Sequence, residues 1–460
     1  MAHHGMNHLH GINTMCTNSH DESGRFRRLF PHQPSLYTAP SELKKLGGPD
    51  GPMDGGKGRN ESNSIPLATV FFGQFIDHDI TFDTTSQLDK INDPNATENF
   101  RTPGLDLDNI YGSGPEASGY LYKDGASLIT GADGTAYAGQ ADEHRNEDLT
   151  RSPIGTAIIG DPRNDENRII SQMQLAFIRF HNKVVDHVKN EKGYEGHELY
   201  EEARKQTTWH YQWVIVNEFL PLMVGQGLVD DILGNGRKFY TSSDSFIPIE
   251  FSAAAYRFGH SLAPQKFKSR IGQAHDFELF GPTLGFGFSA VSRIEQIVQW
   301  EMLIDIDPSI EHENTDKLDT KMSSDLLDLP FISEGEKSLA TRNLLRGQSF
   351  LLPSGENVAE CMGIAPDIIN QVNQFIDENT AGINLSTGTP LWYYILAEAE
   401  AVGSLDRGPG EGLGPVGGRI VAETLIALLE NDPTSYLGTD RSWSPTLGDG
   451  DFTLGDILSF

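Results

Sequence analysis

Apolar positions recur at helical spacing through much of the chain, and strand-like alternation is scarce. Leu67, Val70, Phe71, Phe75 and Ile76 form one such stripe and predict a helix over 66–80. Asp161 followed by Pro162 reads as an N-cap with proline at the first helical position. The helix it opens carries Ile169, Ile170, Met173, Phe177, Phe180 and Val184 on one side. Another long helix signal runs over 198–224. Its most apolar part, 213–224, is broken by Asn217 and Glu218, is too short to span a bilayer and reads as buried. Further helices are expected over 250–262, 294–301, 334–345, 366–377, 390–401 and 419–429. Polar, glycine-rich loops fill 45–64 and 92–153. Residues 1–35 read as an N-terminal arm and 36–460 as one domain, with no repeat and no clear linker. The pattern gives a mainly α fold: a single large helical domain with long loops and little β.

Composition narrows the function classes. The 460 residues include 24 Phe, 13 Tyr and 5 Trp, enough aromatic mass for a buried core. With 35 basic against 65 acidic side chains the formal charge is −30, which should repel phosphate backbones and anionic membranes. Nucleic acid is therefore excluded as a partner, and no membrane span is expected. Two cysteines, Cys16 and Cys361, exclude a disulfide framework and a cysteine-based structural zinc site. The N-terminus lacks a basic segment followed by an apolar one, so no signal peptide is seen. The expected location is cytoplasmic, or outside by a non-classical route. His3, His4, His8 and His10 could bind a metal or simply belong to a polar arm.

Four segments could carry chemistry. In 72–79, Gln74, Asp77 and His78 share one face of an otherwise apolar helix, while Asp79 is turned about 100° from His78. Polar groups there need a ligand or each other, so a functional site and a buried hydrogen-bond network both remain open. In 160–167, Arg163 and Glu166 are three apart at a helix start. Dipole complementarity explains Asp165 and Glu166 but not Arg163. In 255–261, His260 follows Arg257 in an apolar helix and is a satisfied core residue or a metal or haem ligand. In 102–112, alternating oxygen-bearing side chains suit a hard cation or a turn-rich acidic surface. The run Gly412, Gly414, Gly417 fits a dinucleotide pattern, but no strand precedes it and Pro415 sits inside. Sequons begin at Asn60, Asn95 and Asn384; without secretion they carry little weight.

Taken in order, these segments resemble the animal-type haem peroxidase superfamily, the relatives of myeloperoxidase and lactoperoxidase, over about residues 60 to 455. The run 414–423 is similar to the bacterial branch. The resemblance implies a mainly α haem peroxidase domain. It makes Gln74, His78 and Arg163 catalytic: His78 moves protons, Arg163 stabilises the leaving oxygen and Gln74 holds water or a small anion. His260 would be the proximal iron ligand, with Asn343 accepting its ring N–H. Arg257, and with it Arg346 and Thr81, would lie near the haem. Asp77 and Glu166 correspond to carboxylates that form ester bonds, implying a covalently attached, haem b-derived cofactor. Asn167 stands where one branch has Met, so no sulfonium bond is expected. Calcium would be held by Asp79, Thr102, Gly104, Asp106 and Asp108.

The implied function is reduction of hydrogen peroxide through a ferryl intermediate, with oxidation of a small donor: a halide, thiocyanate or a phenol. A role in the response to oxidative stress would follow. Two alternatives stand beside it. The superfamily contains fatty-acid dioxygenases, which need a Tyr three residues before the proximal His. Arg257 holds that position here, and Tyr256, one further back, should be rotated away on a helix. The other alternative is a calcium-binding scaffold without haem catalysis.

Overall fold

The computed structural model describes residues 26–134, 142–448 and 451–459. The histidine-rich stretch and Cys16 fall outside them. Helices dominate, at 47%. The longer ones are α1 (Pro40–Gly47), α2 (Ala68–Ile80), α3 (Arg168–Lys192), α4 (Gly196–Val214), α5 (Gln226–Asn235), α6 (Leu339–Ser349), α7 (Pro366–Asn379), α8 (Leu391–Ala401) and α9 (Pro415–Glu430). Among the described residues the strands form three two-stranded ribbons. β1 (Phe26–Arg27) runs parallel to β3 (Ile247–Pro248). β2 (Glu61–Pro66) is antiparallel to β6 (Asn314–Asp316), and β4 (Lys266–Phe267) to β5 (Phe277–Glu278).

Helix α2 lies at the centre, with Phe71, Phe72, Phe75, Ile76 and Ile80 buried. Phe75 stacks on Phe177 of α3 at 4.5 Å between ring centres, and Tyr211 of α4 meets Phe72, Phe75 and Phe177 edge-on. Each ring buried in this knot contributes about 2 kcal/mol of transfer energy, and each aromatic pair about 1 kcal/mol more. Three helices are thereby fixed relative to one another. Helix α4 continues through a π-helical turn, Ile215–Phe219, into the short helix Leu220–Val224.

Helix α9 is buried almost all round. A Cβ on Gly417 would sit 2.6 Å from Ile395 of α8, so the glycine permits close helix packing. Glu398 of α8 accepts the N–H groups of Val416 and Gly417, capping α9. The glycine-rich run is thus a packed helix start, with no strand before it.

Four expectations change. The arm assigned to residues 1–35 is packed from Phe26 onward: Phe26 and Phe30 are buried and β1 pairs with β3. Asp161 caps only the 3-10 turn Pro162–Asp165; α3 starts later, where the Asn167 side chain accepts from the N–H of Ile170. No regular helix forms over 294–301, because Ser269 and Arg270 take the backbone groups of Gln299 and Ile297. Helix α6 starts at Leu339 rather than 334, capped by Ser338.

Candidate active site

A cavity of about 720 Å³ opens between α2 and the segment 249–262. That segment is not one helix. A short helix (Ile249–Ala253) ends at Ala254, whose φ of −139° and ψ of −75° break the ladder, and a 3-10 turn then leads into Gly259–Leu262. The break brings Tyr256, Arg257 and His260 to the cavity wall together. Tyr256 is therefore not rotated away as helical spacing predicts; it lines the cavity and donates to the Gly73 carbonyl at 3.2 Å. Across the cavity α2 presents Gln74, Asp77 and His78, and Glu166 and Asn167 complete that wall. The shared face expected for Gln74, Asp77 and His78 is present.

His78 is buried behind its ring, where Nδ1 lies 2.6 Å from Asn164 Oδ1; Nε2 lies 4.0 Å from Glu166. Burial, helped by the charge of Arg163, pushes His78 down to about 4, so its ring is neutral at pH 7. Gln74 donates to Glu166 at 2.5 Å. Burial lifts Glu166 to about 7, and what surface it keeps faces the cavity. Thr81 does not line the cavity; its hydroxyl donates to Asp77 at 2.8 Å and orients that carboxylate.

Arg163 departs from expectation. Its guanidinium turns away from the cavity, pairs with Asp161 at 2.7 Å and donates to the carbonyls of His78 and Thr81 at the end of α2. It also lies over the Phe82 ring at 4.4 Å. Burial opposes ionisation of Asp161, but bonds and charge from Arg163 and Arg101 hold its carboxyl at about 2. The latch is thus a full ion pair that also satisfies two otherwise free carbonyls of a helix terminus.

On the opposite wall, His260 Nδ1 lies 2.8 Å from the Asn343 amide, but the amide presents its nitrogen, not its oxygen. The reason is Arg257, a donor with no lone pair, whose Nη1 takes the Asn343 oxygen at 3.1 Å. Asn343 therefore donates to His260 instead of accepting from it. Burial, then the Arg257 charge, pushes His260 down to about 3. Arg346 points elsewhere, to Asp83 and Ser86; Arg342, one turn earlier on α6, lines the cavity.

Behind α2, Asp79, Asp106 and Asp108 bring carboxylate oxygens within 4.8 Å of one another. Thr102 donates to Asp108 at 3.2 Å, and Leu107 N–H and Tyr211 O–H donate to one oxygen of Asp79. The other Asp79 oxygen is buried without a partner. Burial, then mutual repulsion with Asp106 and Asp108, raises Asp79 well above the usual carboxylate range, and burial lifts Asp108 to about 7. Arg101 offsets part of this through Asp108.

Several residues of the site were not singled out in the sequence. Gln174 had no motif to mark it; Asn164 lay inside the 160–167 segment and Arg342 beside Asn343, but neither was given a role. Phe286 and Phe288 stand half-exposed at the mouth, on a loop where a Cβ at Gly287 would overlap the Asp165 carbonyl. The alternation Gly285, Phe286, Gly287, Phe288 was the available signal.

Known proteins resemble this chain. The family profile described as animal haem peroxidase matches residues 88–382. Chorion peroxidase of Aedes aegypti is 26% identical over 313 residues, 65% of this chain but 37% of that protein. Eosinophil peroxidase of Homo sapiens is 30% identical over 115 residues, 25% of this chain and 16% of its own. The chain thus spans well under half of these relatives. Peroxidase A of Dictyostelium discoideum shares the fold with a TM-score of 0.63 at 16% identity, over 95% of this chain and 92% of that one. A fatty acid alpha-dioxygenase of Arabidopsis thaliana does so at 0.59 and 16%, over 87% and 71%. Among the described residues no helix is long and apolar enough to cross a membrane. With its profile matching more than half of the sequence, the chain belongs to the animal haem peroxidase family.

Proposed function

We propose that the protein is a haem peroxidase that reduces hydrogen peroxide and oxidises a small donor such as a halide, thiocyanate or a phenol. The observation that carries this reading is a pair of neutral histidines, His78 and His260, brought by separate elements to the lining of one cavity. The cavity fits haem: one imidazole on the far wall, carboxylates Asp77 and Glu166 at the edge, and the cations Arg257 and Arg342 for acidic substituents. When bound, haem supplies the electrons that cleave the peroxide bond and regains them from the donor.

The protein's own residues handle protons and charge. His78 takes the proton from one peroxide oxygen at Nε2 and delivers it to the departing oxygen, which leaves as water. Its low proton affinity keeps it a free base at neutral pH. Arg163 acts through its field from the latched position; direct contact with the leaving oxygen requires release from Asp161. Gln74, tied to Glu166, lines the approach to His78. His260 is the proposed iron ligand; a free Nε2 lone pair requires the Asn343 amide to turn over and accept from Nδ1–H, which follows if Arg257 is drawn away from it. Asp77 and Glu166 are the proposed ester sites and would hold the haem covalently through its methyl groups. Tryptic peptides containing Asp77 or Glu166 should then carry the haem mass.

We further propose calcium at Asp79, Asp106 and Asp108, with Thr102 and the Gly104 carbonyl. The unpartnered buried oxygen of Asp79 supports it. Chelation should lower Tm, and calcium should restore it.

The primary test is the visible spectrum of the haem-loaded protein before and after one equivalent of hydrogen peroxide. A Soret band that shifts and then recovers with iodide or a phenol supports the reading; a band inert to peroxide refutes it. Tyr256 on the cavity wall favours one second reading, a fatty-acid dioxygenase. Rapid oxygen uptake with a polyunsaturated fatty acid and no added peroxide would decide for it.

A further inference from the structure

We propose that Asn164 and Gln174 are positioning residues that fix the tautomer of His78, leaving its Nε2 lone pair free toward the cavity. The inference deepens the reading of His78 as the proton-handling group and rests on it for its catalytic meaning. A neutral imidazole carries one N–H. With the proton on Nδ1, Nε2 can accept a proton from a molecule in the cavity; with the proton on Nε2, it cannot.

The partner of Nδ1 is Asn164, whose Oδ1 lies 2.6 Å away. An asparagine amide alone does not decide the tautomer, because turning it over exchanges an acceptor for a donor. The choice passes one residue further. Asn164 Nδ2 donates to Gln174 Oε1 at 2.7 Å. Gln174 carries the same ambiguity, and there it ends: its Nε2 donates to the main-chain oxygen of Asn109 at 3.2 Å. A backbone carbonyl accepts only and does not turn over. Gln174 must therefore point its nitrogen at Asn109 and its oxygen at Asn164. Asn164 must then point its oxygen at His78, and His78 must carry its proton on Nδ1.

Burial makes the logic strict. Asn164, Gln174 and Asn109 are 0% exposed and His78 is 5% exposed, so solvent offers no alternative partner. Reversing both amides would set two oxygens face to face at Asn109, which is disfavoured by at least about tenfold. The chain joins α2, the turn after Asp161, α3 and the segment Asp108–Tyr111, so the parts are held by separate elements.

The test reads the tautomer directly. The full chain is labelled with 15N-histidine and long-range 1H–15N correlations are recorded near pH 7.5, in the haem-free protein and in the diamagnetic ferrous carbon monoxide adduct. A His78→Gln sample assigns the signal. The wild type should show the Nδ1–H form in at least about tenfold excess. Gln174→Leu, which removes the bonds to Asn164 and Asn109 and none to His78, should yield a mixture of both forms. Asn164→Asp, an acceptor only, should retain the Nδ1–H form, and Asn164→Leu should lose it. In the haem-loaded variants the peroxide rate should fall with the Nδ1–H fraction. An Nε2–H form in the wild type overturns the proposal. So does an unchanged tautomer in Gln174→Leu with intact circular dichroism; Gln174→Asn, too short to bridge both partners, serves if the leucine variant does not fold. The tautomer is readable with or without haem, so a failed peroxidase reading does not register as a failure here.

Discussion

The two walls of the cavity hold their histidines in the same way and to opposite effect. Behind each Nδ1 stands a buried asparagine amide: Asn164 behind His78, Asn343 behind His260. The first presents oxygen and the second nitrogen. The difference lies in the group that ends each chain. A backbone carbonyl, acceptor only, closes the chain behind His78; a guanidinium, donor only, closes the one behind His260. An amide follows whichever rigid partner it meets. The carbonyl is part of the scaffold, whereas Arg257 lines the cavity and can be drawn to a ligand there. The wall of His78 is therefore preset. The wall of His260 can be reset by whatever takes Arg257 away.

The largest test of this contrast removes the rings. His78→Gln should keep its haem and lose about 100-fold or more of its peroxide rate. In protein loaded with haem and not yet exposed to peroxide, His260→Gln should lose the Soret band itself, read as haem retained after gel filtration. Equal loss of haem in both would erase the distinction between the walls. Next in size, Arg257→Leu frees Asn343 to turn over. The His260 signal in haem-free protein should then move toward the Nδ1–H form, by about tenfold in tautomer ratio. A fixed signal would mean that Arg257 does not set the amide.

A smaller effect is expected at the latch. His78 protonates near pH 4, so the peroxide rate should fall as pH drops through that value. Arg163 is one of the groups that depress it, so Arg163→Gln should move this acid limb upward, toward 6.5, in a pH–rate profile. The last test is a control far from the cavity, with no expected effect on it. His181 faces Tyr111 at Nδ1 and the Ala126 carbonyl at Nε2, so its proton sits on Nε2, opposite to His78. Burial pushes it down to about 4. The unfolded chain therefore takes up the proton first, and stability should fall as pH drops from about 6.5 to about 4, by at most about 3 kcal/mol. His181→Gln should flatten that slope in urea titrations and leave the His78 tautomer unchanged.

What the sequence made legible was local. The i, i+3, i+4 spacing put Gln74, Asp77 and His78 on one face, and the apolar stripe marked α2 closely. The partners of those residues were not legible, because Asn164 is 86 positions from His78 and no spacing rule reaches that far. The Arg163 latch had a local signal, Asp161 two residues earlier, but the same residue also read as a helix cap. The orientation of Asn343 had none, since both ends of an amide share one letter. The break at Ala254 was hidden because its neighbours keep a helical apolar pattern; only the backbone angles reveal that Tyr256 faces the cavity.

The carboxylate of Glu250 accepts the N–H groups of Leu29 and Phe30, and β1 pairs with β3 just upstream of the His260 segment. The first described residues are thus stitched to the wall that carries His260, while α2, which also precedes residue 88, forms the other. For anyone cutting the gene, an expression boundary drawn where the family profile begins would discard Gln74, Asp77, His78 and Asp79. It would also leave the buried Glu250 carboxyl without both of those partners. Such a fragment would still be recognised as family by its sequence, yet it would hold one half of a site.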